Sequence, residues 1–445
     1  MFKFPDSLYT DVRMEDVYET KIVYNQGELE ESRIRTYKAA FIRIFDGHKW
    51  YYGSTSDIDN IQGEIDALSG YAAPDKDIYT HPVVQRLQIS KERLMRYEDS
   101  NVSAIDINKK QELLKEYFPL LQGSKYIKNW KANYLDRRIV KEFYSSKGSE
   151  IIFDTQFLGI SIGMGFADGE KRLSERYQKV GDSFGSLEGH TGEFKEFIAR
   201  CEAFLLNSQP CKPGKYTMVL SPIAAGVFAH ESFGHKSEAD FMIGDELMKK
   251  EWSIGKKVGS DILSIVDTGK IPGFGYTPFD DEGTRSGKTY LVKNGRLSGR
   301  LHSSSTAASL DEAVTGNARS ISFEYEPIVR MTTTYIEPGN KTKEDLISEV
   351  SEGIFIDTIR HGSGMSTFTM APGLAYYIRD GKLAEPVRIA VITGNVMETL
   401  KEIDGLSNEL ELYSSVLGGC GKNDQYPLNV AMGGPYVRVR ALNAQ

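Results

Sequence analysis

The stretch from Asn207 to Lys215 divides the chain, because Pro210, Pro213 and Gly214 crowd there and these residues interrupt both helix and strand. Before it an apolar-periodic, helix-like segment ends near Leu206; after it the β-formers Tyr216–Leu220 begin. A chain of 445 residues is larger than one hydrophobic core usually serves. The junction therefore predicts two domains, 1–208 and 209–445. Hydrophobic residues at 40% and charged residues at 26% are ordinary globular values, which argues against disorder or a fibrous repeat.

The first half reads as an antiparallel meander with helices. Val17–Asn25 and Arg33–Phe45 are rich in β-formers and flank the turn signal Gln26-Gly27. Asp46-Gly47 then turns into Trp50-Tyr51-Tyr52. Ile58, Ile61, Ile65 and Leu68 recur at helical spacing behind a cap at Ser56 or Asp57. A further helix is expected within Val83–Met95, and a stronger one over Lys109–Phe118, closed by Pro119. Arg138–Tyr144 and Ile151–Phe157, around Gly148, read as a second hairpin whose strand runs on to Met164. Beyond the junction short strands and glycine turns dominate, such as Thr289–Lys293 with Asn294-Gly295 and Tyr376–Arg379 with Asp380-Gly381. The 42 glycines and 24 tyrosines also lean towards β-structure. The expected class is α+β.

The formal net charge is −8, and basic runs such as Lys109-Lys110 and Arg137-Arg138 are short. That balance offers no positive face for neutralising phosphates, so nucleic acid is not an expected partner. Charges and Pro5 interrupt the first residues before an apolar stretch builds, so a signal peptide is not expected. No uncharged run approaches the ~18 residues of a membrane span, so no membrane association is expected either. The three cysteines, Cys201, Cys211 and Cys420, form an odd, sparse set that suits a reducing compartment. The expected location is the cytoplasm.

Chemistry concentrates in Ser221–Asp240. Ser221 suits an N-cap and Pro222 the first helical position, with Ile223, Val227 and Phe228 as a buried face. His230, Glu231 and His235 follow near the far end of that helix. Zinc-binding HExxH motifs space their histidines by four; here the spacing is five, about 140° apart on a regular helix. A regular helix would not let both rings share an ion. A π-bulge would bring positions i and i+5 together, and Gly234 makes the distortion affordable. The segment is either such a bulged metal site or a chance grouping of two of the seven histidines around a glutamate.

A catalytic zinc usually takes three protein ligands, so a third must come from elsewhere. Cys420, flanked by glycines in Leu417–Lys422, is either that ligand or a small buried thiol in a tight turn. Cys201 in a helix and Cys211 in the junction read as bystanders. Glu238 and Asp240 are rival ligands, expected to face solvent or cap the helix end. Asp280–Gly283 reads as an acidic turn, with a second metal site as the alternative. Asn317 and Arg319 read either as holding a substrate carbonyl or carboxylate, or as a surface salt bridge. The other five histidines are isolated and read as structural.

These residues carry a resemblance. His230-Glu-Ser-Phe-Gly-His235 with Glu238-Ala-Asp240 resembles the metal-binding HExxxH segment of the TldD branch of the TldD/PmbA metallopeptidases. Cys420-Gly-Lys-Asn-Asp-Gln-Tyr-Pro is similar to the family's closing CGK segment. Asp280–Gly283, Gly316–Arg319 and Arg330–Tyr335 fall between them in the family's order. The likeness is specific over 216–445, looser in the first half, and weakest over 73–135.

The resemblance implies an N-terminal α/β domain with an antiparallel sheet, and a C-terminal β-rich, barrel-like domain carrying the metal-binding helix. It implies metal ligation by His230, His235 and Cys420, with Glu231 as general base in the hydrolysis of peptides or unstructured protein segments. Zinc is the expected metal and iron the alternative. The family also implies a dimer, either a homodimer or a heterodimer with a PmbA/TldE-like paralogue, a branch that lacks the metal residues. The competing reading is a non-catalytic binding or regulatory subunit with a structural metal or none. With main-chain recognition of peptides in mind, Arg330–Tyr335 is the candidate exposed strand edge.

Overall fold

The structure, a computed structural model, describes residues 2–364 and 366–445. A seven-stranded sheet dominates the first half. Its strands are β1 (Tyr9–Asn25), β2 (Glu28–Phe45), β3 (Trp50–Thr55), β4 (Lys91–Leu94), β5 (Ile127–Ser145), β6 (Glu150–Asp168) and β7 (Lys171–Gly181). The order is β3-β2-β1-β5-β6-β4, with β7 also on β6. All neighbours are antiparallel except β4, which lies parallel to the start of β6. The hairpins read from the turn signals are present, but their strands are far longer than the apolar runs suggested.

Helices α1 (Ile61–Ser69), α2 (Pro82–Arg86), α3 (Ile107–Lys115), α4 (Phe118–Gly123) and α5 (Thr191–Asn207) cover this sheet. On α5, Phe194, Ile198, Cys201 and Leu205 recur at helical spacing and pack with Ile160, Ile162 and Phe166 of β6. Two local expectations differ. The helix expected within Val83–Met95 is only α2, followed by strand β4, because β6 offers Lys91–Leu94 a parallel partner. Pro119 does not merely close a helix; it stands in the first turn of α4, where a missing N–H removes no helical bond.

The second half contains two large open sheets. One has ten strands: from one end Ile359–Gly364, Thr367–Pro372, Ile392–Asn395, Val437–Ala444, Gly214–Leu220, Glu352–Ile356, Ala375–Arg379, Lys382–Arg388 and Gln209–Pro210, with Ile403–Leu406 beside Val437–Ala444. The other has six: Arg296–Leu297, Lys288–Lys293, Ile265–Thr268, Thr333–Ile336, Ala431–Gly434 and Glu411–Tyr413. The molecule is thus a β-rich mixed α/β fold.

The barrel-like expectation is corrected: no sheet closes on itself among the described residues. The reason lies in α6 (Pro222–Ala229). Its Ala224, Ala225 and Phe228 share one core with Met218 and Ile354 of the ten-stranded sheet and with Ile265 and Ile336 of the six-stranded one. A buried helix fills the space between the sheets. Thr333–Ile336 is also not an edge. It is buried, and pairs on both sides with Ile265–Thr268 and Ala431–Gly434.

The two halves meet at a buried ionic seam. Arg43 bridges Asp11 at 2.6 Å and Glu282 at 3.0 Å, while Arg13 and Lys141 reach Asp281 at 3.2 and 2.6 Å. Asp280 accepts from the amides of Glu282, Thr284 and Ala318. Asp280–Gly283 is therefore a turn, but a buried one whose Asp281 and Glu282 are spent on cations of the other half. Burial alone would raise the Asp281 carboxyl, yet Arg13 and Lys141 hold it well below the usual carboxylate range.

Candidate metal centre

The α6 helix seats the site. Ser221 stands at its N-cap position and Pro222 begins it, but the Ser221 hydroxyl donates to the Asp357 carbonyl at 2.8 Å and does not cap. The buried face is Ala224, Ala225, Gly226, Phe228 and Ala229, whereas Ile223 and Val227 are only half-buried. Gly226 allows the closest approach: a Cβ there would lie 2.5 Å from the backbone nitrogen of Gly433. The helix backbone thus rests directly on strand Ala431–Gly434.

The α-helix ends at Ala229, and the chain continues as one π turn, His230–Gly234, followed by a 3₁₀ turn, His235–Ser237. The five-residue spacing is accommodated as the bulge requires, with the histidines past the α-helix and not on it. Gly234 also packs where any Cβ would overlap the Met331 sulfur. The two imidazoles lie 5.2 Å apart between ring centroids, edge to face.

Cys420 comes to them on the hairpin Cys420–Lys422/Gln425–Leu428. One potential ligand atom from each of His230, His235 and Cys420 falls within 4.8 Å of the others. Cys420 Sγ is 3.4 Å from His235 Nε2. Burial would push the Cys420 thiol up, but the adjoining His230 and His235 rings outweigh it and hold the group at about 5. Burial would lower His235, yet its hydrogen bonds to Cys420 and Glu238 raise it to about 10. The buried Nδ1 of His230 has no hydrogen-bond partner among the described residues.

Glu231 is half-buried on the same π turn, and no side-chain hydrogen bond or ion pair engages its carboxylate among the described residues. The end strand Ile359–Gly364 passes beside it: a Cβ on Gly362 would lie 3.7 Å from Glu231 Cγ, and one on Gly364 would lie 3.2 Å from Ser232 Oγ.

Glu238 departs from expectation. It is fully buried, with Oε2 facing His235 Nδ1 at 3.2 Å and Lys422 Nζ at 3.0 Å. Asp240, part-buried, also pairs with Lys422, at 2.7 Å. Neither belongs to the His–His–Cys cluster. Lys422 stands two residues after Cys420 on the same hairpin, the one sequence signal that ties it to the site.

Asn317 and Arg319 are buried. Asn317 donates to Asp267 and to the Arg330 carbonyl at 2.9 and 3.0 Å, and Arg319 donates to the carbonyls of Met331 and Asn429. Both tie loops together, and Arg319 makes no surface salt bridge. Cys201 is buried in α5 and Cys211 is half-buried beside the junction, and neither belongs to the His–His–Cys cluster. No helix among the described residues is long and apolar enough to cross a membrane.

Residues 213–445 match the PmbA/TldA metallopeptidase C-terminal domain, and residues 10–70 match the PmbA/TldA metallopeptidase domain 1. A metalloprotease of Synechocystis sp. is 42% identical over 234 residues, 52% of this chain and only half the length of that relative (50%). A metalloprotease of Methanothermobacter thermautotrophicus is 30% identical over 444 residues, covering 97% of this chain and 94% of that one. A zinc metalloprotease TldD homolog of Saccharolobus solfataricus is 27% identical over 415 residues, 90% and 88% of the two chains. TldE from Thermococcus kodakarensis has the same fold, with a TM-score of 0.76 at 16% identity over 98% of this chain and 96% of that one. The chain belongs to the PmbA/TldD family of metallopeptidases.

Proposed function

We propose that this chain is a metal-dependent peptidase in which His230, His235 and Cys420 hold one ion and Glu231 is the general base. The observation that carries this reading is the convergence of two imidazoles and a thiol within 4.8 Å, beside a carboxylate that no side chain among the described residues engages. The residues fit such an ion. Two nitrogens and a thiolate suit zinc, the metal for which the Saccharolobus relative is named, with iron as the alternative. The orphaned Nδ1 of buried His230 would also be satisfied by the ion or its water.

When bound, the ion would supply Lewis acidity and lower the pKa of a water to around 7. Glu231 takes the proton released in the attack on the scissile carbonyl and passes it to the leaving amine. The hairpin of Ile359–Gly364 and Thr367–Pro372 shields one side of Glu231. A closed, purely structural site would need a fourth ligand, and Glu238, the carboxylate that meets His235, is already engaged by His235 and Lys422.

The reading extends to the substrate. Ile359–Gly364 is the end strand of its sheet and runs beside Glu231, so it replaces Arg330–Tyr335 as the edge on which an extended peptide pairs through its main chain. Peptides and unstructured segments are the substrates this suits. The same reading takes 1–208 and 209–445 as two domains and the cytoplasm as the location. Its partner is a second copy or a paralogue of the TldE kind, the latter supported by the shared fold.

The test separates base from ligand. Glu231→Gln is expected to keep the metal, measured by mass spectrometry of the purified protein, while peptide hydrolysis falls by on the order of a hundredfold or more. Full activity in that variant would sink the mechanism.

A further inference from the structure

Outside the three proposed ligands, a largely buried charged cluster beside the site joins Glu238, Lys422 and Asp240. Glu238 is 0% exposed, and ionised carboxylates are rarely buried so completely unless paired. Its Oε2 meets two donors, His235 Nδ1 at 3.2 Å and Lys422 Nζ at 3.0 Å. Lys422 is itself 5% exposed and has three acceptors: Glu238, Asp240 Oδ2 at 2.7 Å and the Val329 carbonyl at 2.9 Å. An ammonium has three protons, so each finds a partner and the head cannot turn away.

This cluster has a consequence for His235. A carboxylate oxygen only accepts, so Nδ1 carries a hydrogen, and Nε2 is the nitrogen whose lone pair is available to an ion once its own proton leaves. Nε2 is the nitrogen that faces Cys420, 3.4 Å from Sγ. Lys422 stands two residues after Cys420 on the same hairpin, so one ammonium ties the carboxylate that orients the second histidine to the strand that delivers the thiol. Among the described residues His230 has no such support, its Nδ1 being without a partner.

We infer that Glu238, held by Lys422, is a positioning residue: it fixes the ring and tautomer of His235 so that Nε2 is presented to the metal, and Lys422 sets the distance between that ring and Cys420. The inference rests on the reading of His230, His235 and Cys420 as ligands. Carboxylates behind a ligating histidine commonly change metal affinity by 10–100-fold when removed.

The experiment is zinc binding to the full chain in competition with a chromophoric chelator, together with the absorption spectrum of the cobalt-substituted protein. Glu238→Ala is expected to weaken zinc by about 10–100-fold and to alter the cobalt bands. Glu238→Gln, which still accepts from Nδ1–H, should recover most of the affinity. Asp240→Asn, which touches Lys422 and not His235, should stay within a few-fold of the parent. If Glu238→Ala binds as tightly as the parent, or Asp240→Asn is as weak as Glu238→Ala, the positioning role is wrong while the metal site stands. A parent chain that binds no zinc, no more than Cys420→Ala does, overturns the ligand reading and this inference with it. A measurement on the unaltered protein covers the case in which Glu238→Ala does not fold. Long-range ¹⁵N spectra of the zinc-loaded chain should show His235 protonated at Nδ1 and bound through Nε2; binding through Nδ1 overturns the inference.

Discussion

His235 Nε2 and Cys420 Sγ lie 3.4 Å apart although 185 residues separate them in the chain. Arg330, fully buried, holds the thiol's hairpin in place by donating to the carbonyls of Cys420 at 2.7 Å and Gln425 at 3.3 Å. On the other side, the Gly226–Gly433 crossing seats the helix that leads into the histidines. The cluster therefore exists only when both packings are made.

Cysteine replacement separates the proposed ligand from the other two thiols. Cys420→Ala is expected to lose most of the bound metal, while Cys201→Ala and Cys211→Ala keep it, because Cys201 lies in the core under α5 and Cys211 near the junction. Metal content per chain after dialysis is the measurement. Equal occupancy in all three variants would show that the thiol at 420 is not a ligand.

Gly226→Ala tests how the site depends on packing far from any ligand. The added methyl would meet the backbone of Gly433, at 2.5 Å from its nitrogen and 2.6 Å from its Cα, and backbone in a paired strand yields poorly. Overpacking of this kind typically costs about 1–3 kcal/mol. The denaturant midpoint should fall accordingly, and metal affinity should fall with it as the π turn shifts. An unchanged midpoint would mean that the helix does not rest on that strand.

Glu175 of β7 predicts a pH dependence of stability. Burial raises its carboxyl, Arg360 at 3.5 Å and Thr358 only partly oppose this, and the group rises from the ordinary 4.5 to about 7. The folded state then holds a proton that the unfolded state releases. Stability is full below about 4.5 and falls as pH rises through about 7, by up to about 3 kcal/mol at 1.36 kcal/mol per pH unit. Glu175→Gln cannot ionise, so its stability should lack this decline. Urea midpoints at pH 5 and pH 8 measure it, and parallel profiles for the two proteins would contradict the assignment.

Substrate form follows from the recessed site. On the proposed reading, a cluster of two buried residues and one mostly buried imidazole, beside an end strand, would admit an extended chain and not a folded surface. The metal-loaded protein should cleave short or disordered peptides with broad sequence preference and leave a folded domain of matched composition intact. Mass spectrometry of both digests decides it: rapid cleavage of the folded domain with the peptides untouched would refute main-chain recognition.

Much of this protein is local and so legible in the residues alone. Gln26-Gly27 and Asp46-Gly47 turn the first strands, the isoleucines at 61 and 65 mark α1, and the apolar run after Ser221 makes α6. The i, i+5 histidine spacing already required a distorted turn if both rings were to share an ion, because helical geometry is set by covalent neighbours within a few residues. What lay further apart along the chain was decided by tertiary packing. Whether Glu238 faced water or His235 depended on Lys422 arriving from 184 residues away. Asp281 and Glu282 became a seam because Arg13, Arg43 and Lys141 of the other half close over them. Thr333–Ile336 has the composition of either an edge or a central strand, and only its two neighbours make it central. The sheets stay open because α6 occupies the space between them. Propensity and spacing act over a turn or two of chain, whereas a buried charge or a strand edge is defined by whichever distant segment covers it.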